Sequence, residues 1–179
     1  MEAMLAAVVD LVSAHRAWAP YLAFLLALGE TVALVSILIP STAILVAVGG
    51  LVATGGLDLF PIWIGASLGA LVGSTFSFWL GERFGPSMLQ LWPLSRDPAL
   101  VARGTSAFAR YGAVSILIAH FFGPLRSVAF LVAGVSAMRL LPFQLANVPG
   151  ALAWAYLVPK SGEIGGDVLG MLWQTMFGA

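Results

Sequence analysis

The chain contains no cysteine. That excludes a disulfide framework, a thiolate metal site and a thiol nucleophile, and it leaves the redox compartment unread. Charge is scarce too: Asp, Glu, Lys and Arg make up 9% of the 179 residues, where a soluble domain carries roughly a quarter. Eight basic residues cancel eight acidic ones, so the basic excess that nucleic acid demands is missing and no nucleic-acid partner is expected. The two histidines, His15 and His120, are far apart and show no metal-ligand spacing, which argues against a zinc enzyme and for no bound metal. No glycine-rich nucleotide loop follows a strand, and no strand pattern occurs at all, so no cofactor is expected. The start, Met1-Glu2-Ala3, has no basic region ahead of a short apolar core and does not read as a cleaved signal peptide.

What the chain does have is apolar length. With 60% hydrophobic residues, lipid rather than water is the main solvent, and residues 1–179 read as one membrane domain. An ionisable residue costs roughly 2.5 to 3.5 kcal/mol at the centre of an inserted helix, so each one marks either an interface or a function. Leu59 to Gly81 carries none and is long enough to cross a hydrocarbon core of about 30 Å at about 1.5 Å per residue. Leu140 to Pro159 is a second such stretch, with a kink expected at Pro149. Two other apolar regions are interrupted. Residues 17–57 contain Glu30 and Pro40, and residues 111–138 contain Gly123, Pro124 and Arg126. Each reads as a re-entrant hairpin of two half-helices, a geometry tolerated only where protein or a water-filled cavity surrounds the backbone.

Internal repetition supports the division. Val35-Ser36-Ile37-Leu38-Ile39 recurs as Val114-Ser115-Ile116-Leu117-Ile118, and Pro61 followed by Gly69-Ala70-Leu71 recurs, at nearly the same offset, as Pro142 followed by Gly150-Ala151-Leu152. Each half is then one hairpin plus one crossing, so the second half starts from the opposite face. The expected fold class is an all-α membrane protein built as an inverted repeat, the architecture in which many transporters place substrate near the midplane. Residues 1–16 are an N-terminal interfacial segment. Residues 82–110 form the central loop, where Asp97-Pro98 is a good helix start and Arg96, Arg103 and Arg110 share a face. That helix lies either on anionic lipid or in solvent. Arg83, Arg96, Arg103, Arg110 and Arg139 fall on one side, Arg16 and Lys160 on the other, which makes the central loop cytoplasmic. Residues 162–179 are too short to span beyond Lys160. They read as an interfacial tail, unless the chain continues past Ala179.

Chemistry concentrates at the breaks. A carboxylate inside an apolar stretch, as at Glu30, is protonated or paired, or else caps a helix end at the interface. Arg126 keeps its proton, and its planar fork suits phosphate or carboxylate. Gly123-Pro124 would place it near a helix N-terminus, which makes sense if an anion sits there, either a phosphate ligand or Glu30. The alternative is a purely structural Glu30–Arg126 pair. His120 reads as a packing residue or as a group that titrates near neutrality. Ser41 and Thr42 follow Pro40, with hydroxyls for freed carbonyls or for a head group. Asn147 reads as polar glue and Trp154 as an interface anchor. Gly49, Gly50, Gly55, Gly56, Gly69, Gly73, Gly81 and Gly85 read as sites of close helix packing.

These residues resemble the DedA family, also called the SNARE-associated or VTT-domain family. The resemblance runs over roughly residues 21 to 166. It rests on Glu30 ahead of Ile39-Pro40-Ser41-Thr42, the Gly49 to Gly56 segment, Gly81-Glu82-Arg83-Phe84-Gly85 and Phe108-Ala109-Arg110-Tyr111-Gly112. It continues through His120-Phe121-Phe122-Gly123-Pro124-Leu125-Arg126, Ala133-Gly134, Met138, Phe143, Asn147, Gly150 and Trp154. The resemblance implies two opposed re-entrant hairpins and a role in moving lipids. Bacterial members are associated with undecaprenyl phosphate recycling or phosphatidylethanolamine translocation, and eukaryotic relatives behave as scramblases. Many members place glycine and an acidic residue where this chain has Ser41 and Thr42, and arginine where it has His120.

The function expected from the sequence is therefore a flippase or scramblase, not an enzyme, for a membrane phospholipid or polyprenyl phosphate in a bacterial cytoplasmic membrane. Arg126 would engage the phosphate, with Glu30, Pro40, Ser41, Thr42, His120, Gly123, Pro124 and Asn147 around it. A homo-oligomer is left open. A proton- or ion-coupled transporter of a small solute and a membrane-embedded lipid phosphatase are the rival readings.

Overall fold

The chain is described here from a computed structural model, which covers residues 16–32, 41–53, 57–85, 87, 98–123 and 125–177. Among these residues every long element is a helix and no strand occurs. After a 3-10 turn, Arg16–Trp18, come α1 (Ala19–Thr31), α2 (Ser41–Ala53), α3 (Leu59–Phe84), α4 (Pro98–Tyr111), α5 (Val114–Ala119), α6 (Leu125–Val135) and α7 (Leu140–Phe177). Pro40, Pro124, Gly55, Gly56 and Arg96 lie outside the described residues.

Helix lengths separate two kinds of element. α3 has 26 residues, about 39 Å at 1.5 Å per residue, and among the described residues it is the helix long and apolar enough to cross a membrane by length and composition. It overruns the expected end at Gly81 by one turn, and Gly85 closes it with a φ of +52° and an N–H bonded to the Gly81 carbonyl at 2.9 Å. α1 and α2 have 13 residues each, or about 20 Å, which falls short of a hydrocarbon core of about 30 Å. α5 and α6 are shorter still.

α7 departs most from the sequence reading. Its 38 residues contain both Pro149 and Pro159, so the expected stop at Pro159 and the separate tail from residue 162 are replaced by one helix reaching Phe177. Tertiary packing explains the continuation. Gly162 lies against the Val46 carbonyl and Gly166 beside Gly50 and Ala53, so the second part of α7 docks closely on α2.

Apolar burial cannot glue helices together when lipid is as apolar as leucine, so close van der Waals approach has to. Gly65 and Gly69 of α3 meet the carbonyls of Pro20 and Phe24, while Gly73 meets Thr31 and the Leu28 carbonyl. The contacts advance together along both chains, so α1 and α3 run parallel. A reciprocal contact occurs twice. Gly49 meets the Pro159 carbonyl while Gly162 meets that of Val46, and Gly134 meets the Phe78 carbonyl while Gly81 meets that of Leu131. α2 therefore packs on α7 as α6 packs on α3.

Two apolar cores result. One gathers Ala23, Ala27, Leu45, Ile62, Ala66, Ala70 and Ala151. The other gathers Phe78, Phe108, Ile116, Phe130, Val132 and Phe143, with Phe78 stacked on Phe143 at 4.4 Å between ring centroids. Phe108 is the buried side of α4, which turns Arg110 outward. The α1 end and the α6 start carry Glu30 and Arg126, which are buried charges among the described residues.

Candidate functional site

Glu30 is the penultimate residue of α1, and its position is fixed by its neighbour. The Thr31 hydroxyl donates to the Ala27 carbonyl at 2.7 Å, and the Thr31 carbonyl accepts from Ser77 of α3 at 2.7 Å. The helix end is thereby tied to the α3 helix, and Glu30 is held 2% exposed. Its Oε1 accepts from the Thr42 hydroxyl at 2.6 Å. Its Oε2 faces Arg126 Nη2 at 3.2 Å. The charges predicted at two separate breaks are thus in contact.

Arg126 comes from α6. Gly123 takes a left-handed φ of +52°, a conformation that favours glycine, and its carbonyl accepts the Arg126 N–H at 3.1 Å. The turn starts α6, and Arg126 is that helix's second residue. Its side chain is fully buried, and the guanidinium carbon sits 3.7 Å from the centroid of the Trp154 ring. Trp154 is itself buried. It is the floor under the cation and not the interface anchor expected from the sequence, because α7 turns it inward on the same face as Asn147, seven residues and two turns earlier.

The guanidinium has a charge partner and an aromatic face but, among the described residues, no hydrogen-bond acceptor. Nε, Nη1 and Nη2 are all buried without one, since the Glu30 contact lies at ion-pair distance without hydrogen-bond alignment. Arginine carries five N–H donors in a planar fork, and burying donors without acceptors is costly. An anion entering here would find a positive charge, oriented donors and a helix start.

His120 closes α5 and is fully buried. Its ring lies against Gly150, where a Cβ would collide with it, and 4.9 Å from the Phe130 ring centroid. Nε2 is 3.0 Å from Asn147 Oδ1. Asn147 Nδ2 donates to Gln144 Oε1 at 2.9 Å, Gln144 Nε2 donates to the Thr75 hydroxyl at 2.8 Å, and that hydroxyl donates to the Leu71 carbonyl at 2.7 Å. Asn147 therefore links helices, as its expected role of polar glue requires. Of the other anticipated residues, Thr42 bonds Glu30 and not a carbonyl, while Ser41 opens α2. Sequence reasoning missed Gln144 and Thr75, whose pairing spans 69 positions, and it misassigned Trp154, although the heptad spacing to Asn147 carried the signal.

Among the described residues no cluster of His, Cys, Asp or Glu could hold a metal ion. The donor set consists of a carboxylate, a guanidinium, an imidazole and hydroxyls. It suits reversible anion binding.

The VTT-domain family profile matches residues 39–163. Among curated proteins, the inner membrane protein YabI of Escherichia coli (strain K12) is 31% identical over 137 residues, which cover 75% of this chain and 54% of YabI. The protein DedA of the same organism is 26% identical over 163 residues, covering 89% of this chain and 74% of DedA. An uncharacterized membrane protein of Mycobacterium tuberculosis (strain ATCC 25618 / H37Rv) is 31% identical over 144 residues, covering 76% of this chain and 66% of its own. The chain spans about half the length of the first of these relatives. No solved structure matches.

Proposed function

This chain belongs to the VTT-domain, or DedA, family of membrane proteins, and from that membership we propose that it carries a phosphate-bearing lipid across the bilayer as a flippase or scramblase. The observation that carries the reading is the Arg126 guanidinium: fully buried, stacked on Trp154, paired with Glu30 and, among the described residues, without a hydrogen-bond acceptor. A head-group phosphate supplies acceptors in the bidentate geometry that arginine prefers. Glu30 balances the cation when the site is empty. As the phosphate arrives, the carboxylate shifts toward Thr42, which already holds its other oxygen.

The proposed architecture is a pair of re-entrant hairpins, α1–α2 and α5–α6, in inverted halves. Three features support it: the short helices, the twofold recurrence of the reciprocal glycine contacts, and the matching sequence repeats. Backbone that turns at membrane depth must be wrapped in protein, and α3 and α7 provide the wrapping. The relative named as an inner membrane protein supports the same location for this chain, with the central loop cytoplasmic by its arginines.

Reconstitution in liposomes tests the reading. Arg126→Ala should slow movement of a fluorescent phospholipid or a polyprenyl phosphate by at least about ten-fold, with Arg126→Lys intermediate because a point charge does not replace a fork. Transport by Arg126→Ala at the unmutated rate would sink the assignment. Release of inorganic phosphate from the lipid would instead make the protein a phosphatase.

A further inference from the structure

The polar chain that ends at Leu71 has a direction, and the direction fixes the imidazole. A backbone carbonyl only accepts, so the Thr75 hydroxyl donates to Leu71 and its oxygen accepts from the Gln144 amide. Gln144 Oε1 then accepts from the Asn147 amide, and Asn147 Oδ1 is left to accept from His120. The hydrogen of the uncharged ring therefore sits on Nε2, and Nδ1 presents a lone pair. Nδ1 is buried and has no hydrogen-bond partner among the described residues.

Two complementary deficits thus lie side by side. Arg126 has donors without acceptors, and His120 has an acceptor without a donor. α7 sets their spacing: the imidazole lies over Gly150 and the guanidinium over Trp154, one turn apart on one face, or about 6 Å along the axis. A phosphate that accepts from the guanidinium and donates its own hydrogen to Nδ1, each at about 2.8 Å, would satisfy both. The Arg126 charge also acts on the His120 ring.

We infer that, within the lipid site proposed above, His120 Nδ1 is a specificity-determining acceptor, so that the protein selects phosphate-bearing head groups that bring their own hydrogen-bond donor. Asn147, Gln144 and Thr75 are the positioning residues that hold the imidazole in this tautomer. Two sources share the chemistry: a phosphate monoester with one proton, through its P–O–H, and a phosphodiester ending in a primary ammonium, through its N–H. A methylated counterpart keeps the anion and loses the donor. It leaves Nδ1 buried and unsatisfied, which a site built around a hydrogen bond penalises.

The test is binding to the purified full chain in detergent, with two matched pairs of probes. Dodecyl phosphate at mildly acidic pH is compared with methyl dodecyl phosphate, and dioleoyl phosphatidylethanolamine with dioleoyl phosphatidylcholine. The donor-bearing member of at least one pair should bind about ten-fold tighter or more, and the pair that discriminates identifies the source. His120→Phe should abolish the difference within the pair that discriminates. Equal binding within both pairs overturns the inference and leaves the lipid site standing, whereas failure of all four probes to bind overturns both. Should His120→Phe not fold, nitrogen NMR of the histidine in a His15→Gln background decides. A protonated Nε2 with an Nδ1 resonance that moves with the donor-bearing probe alone supports the assignment, and an unmoved Nδ1 overturns it.

Discussion

The Arg126 guanidinium carbon lies 3.7 Å above the Trp154 ring, and both side chains are buried. Residues on α6 and α7 thus build a cation site whose counter-charge, Glu30, comes from α1. Cation–π attraction strengthens when the partners are desolvated, reaching about 2 kcal/mol. Trp154→Phe is expected to lose about 1 kcal/mol and Trp154→Leu about 2 kcal/mol of stability. In an Arg126→Met background the Trp154→Leu loss should shrink. Equilibrium unfolding in detergent measures all four.

Breaking the ion pair from one side should cost more than removing it. Glu30→Gln leaves the buried cation uncompensated, a loss of about 3 to 5 kcal/mol. Joining Arg126→Met to Glu30→Gln should recover part of that loss. A double variant as unstable as the sum of the singles would show that the two charges are not coupled.

Thr42→Val keeps the shape and deletes the hydroxyl 2.6 Å from Glu30 Oε1. Hydrogen bonds to charged groups contribute about 1.5 to 3 kcal/mol, so a fall in stability of that order is expected. Thr42→Ser, which retains the donor, should lose less.

Glycine replacements separate close contact from mere presence. Gly150→Ala puts a methyl on the His120 ring and should cost about 1 to 3 kcal/mol by overpacking. Gly165→Ala, on the same helix but with nothing near the new carbon, should gain about 0.5 to 1 kcal/mol. Thermal unfolding of the two variants should shift in opposite directions.

Ala137 has a φ of +54°, and among the described residues it is the non-glycine residue in that region. It ends α6, with the Met138 N–H on the Ala133 carbonyl at 3.2 Å and its own N–H on the Gly134 carbonyl at 3.0 Å. This hydrogen-bond pattern is ordinarily closed by glycine. Ala137→Gly is expected to stabilise the protein by about 1 kcal/mol, with a higher melting temperature as the readout.

Much of the candidate site was legible because lipid makes charge conspicuous. Glu30 and Arg126 stand out in apolar stretches, and a residue costly to bury there needs a partner. Gly69-Ala70-Leu71 and Gly150-Ala151-Leu152 read alike in the sequence but meet different partners, the first glycine the Phe24 carbonyl and the second the His120 imidazole. The polar chain from His120 to Thr75 was not legible, since nothing local to Thr75 or Gln144 announces a partner on another helix.

Composition and the placement of charge were enough to specify helices for an apolar solvent and a turn at Gly123 ahead of α6, because hydropathy and backbone stereochemistry act locally. The side of α7 that faces inward, the run of that helix through Pro159, and the gathering of Arg126, Glu30 and Trp154 were decided by helix-on-helix contact. Those contacts depend on where glycines let two backbones meet, and that is a property of the assembled chain.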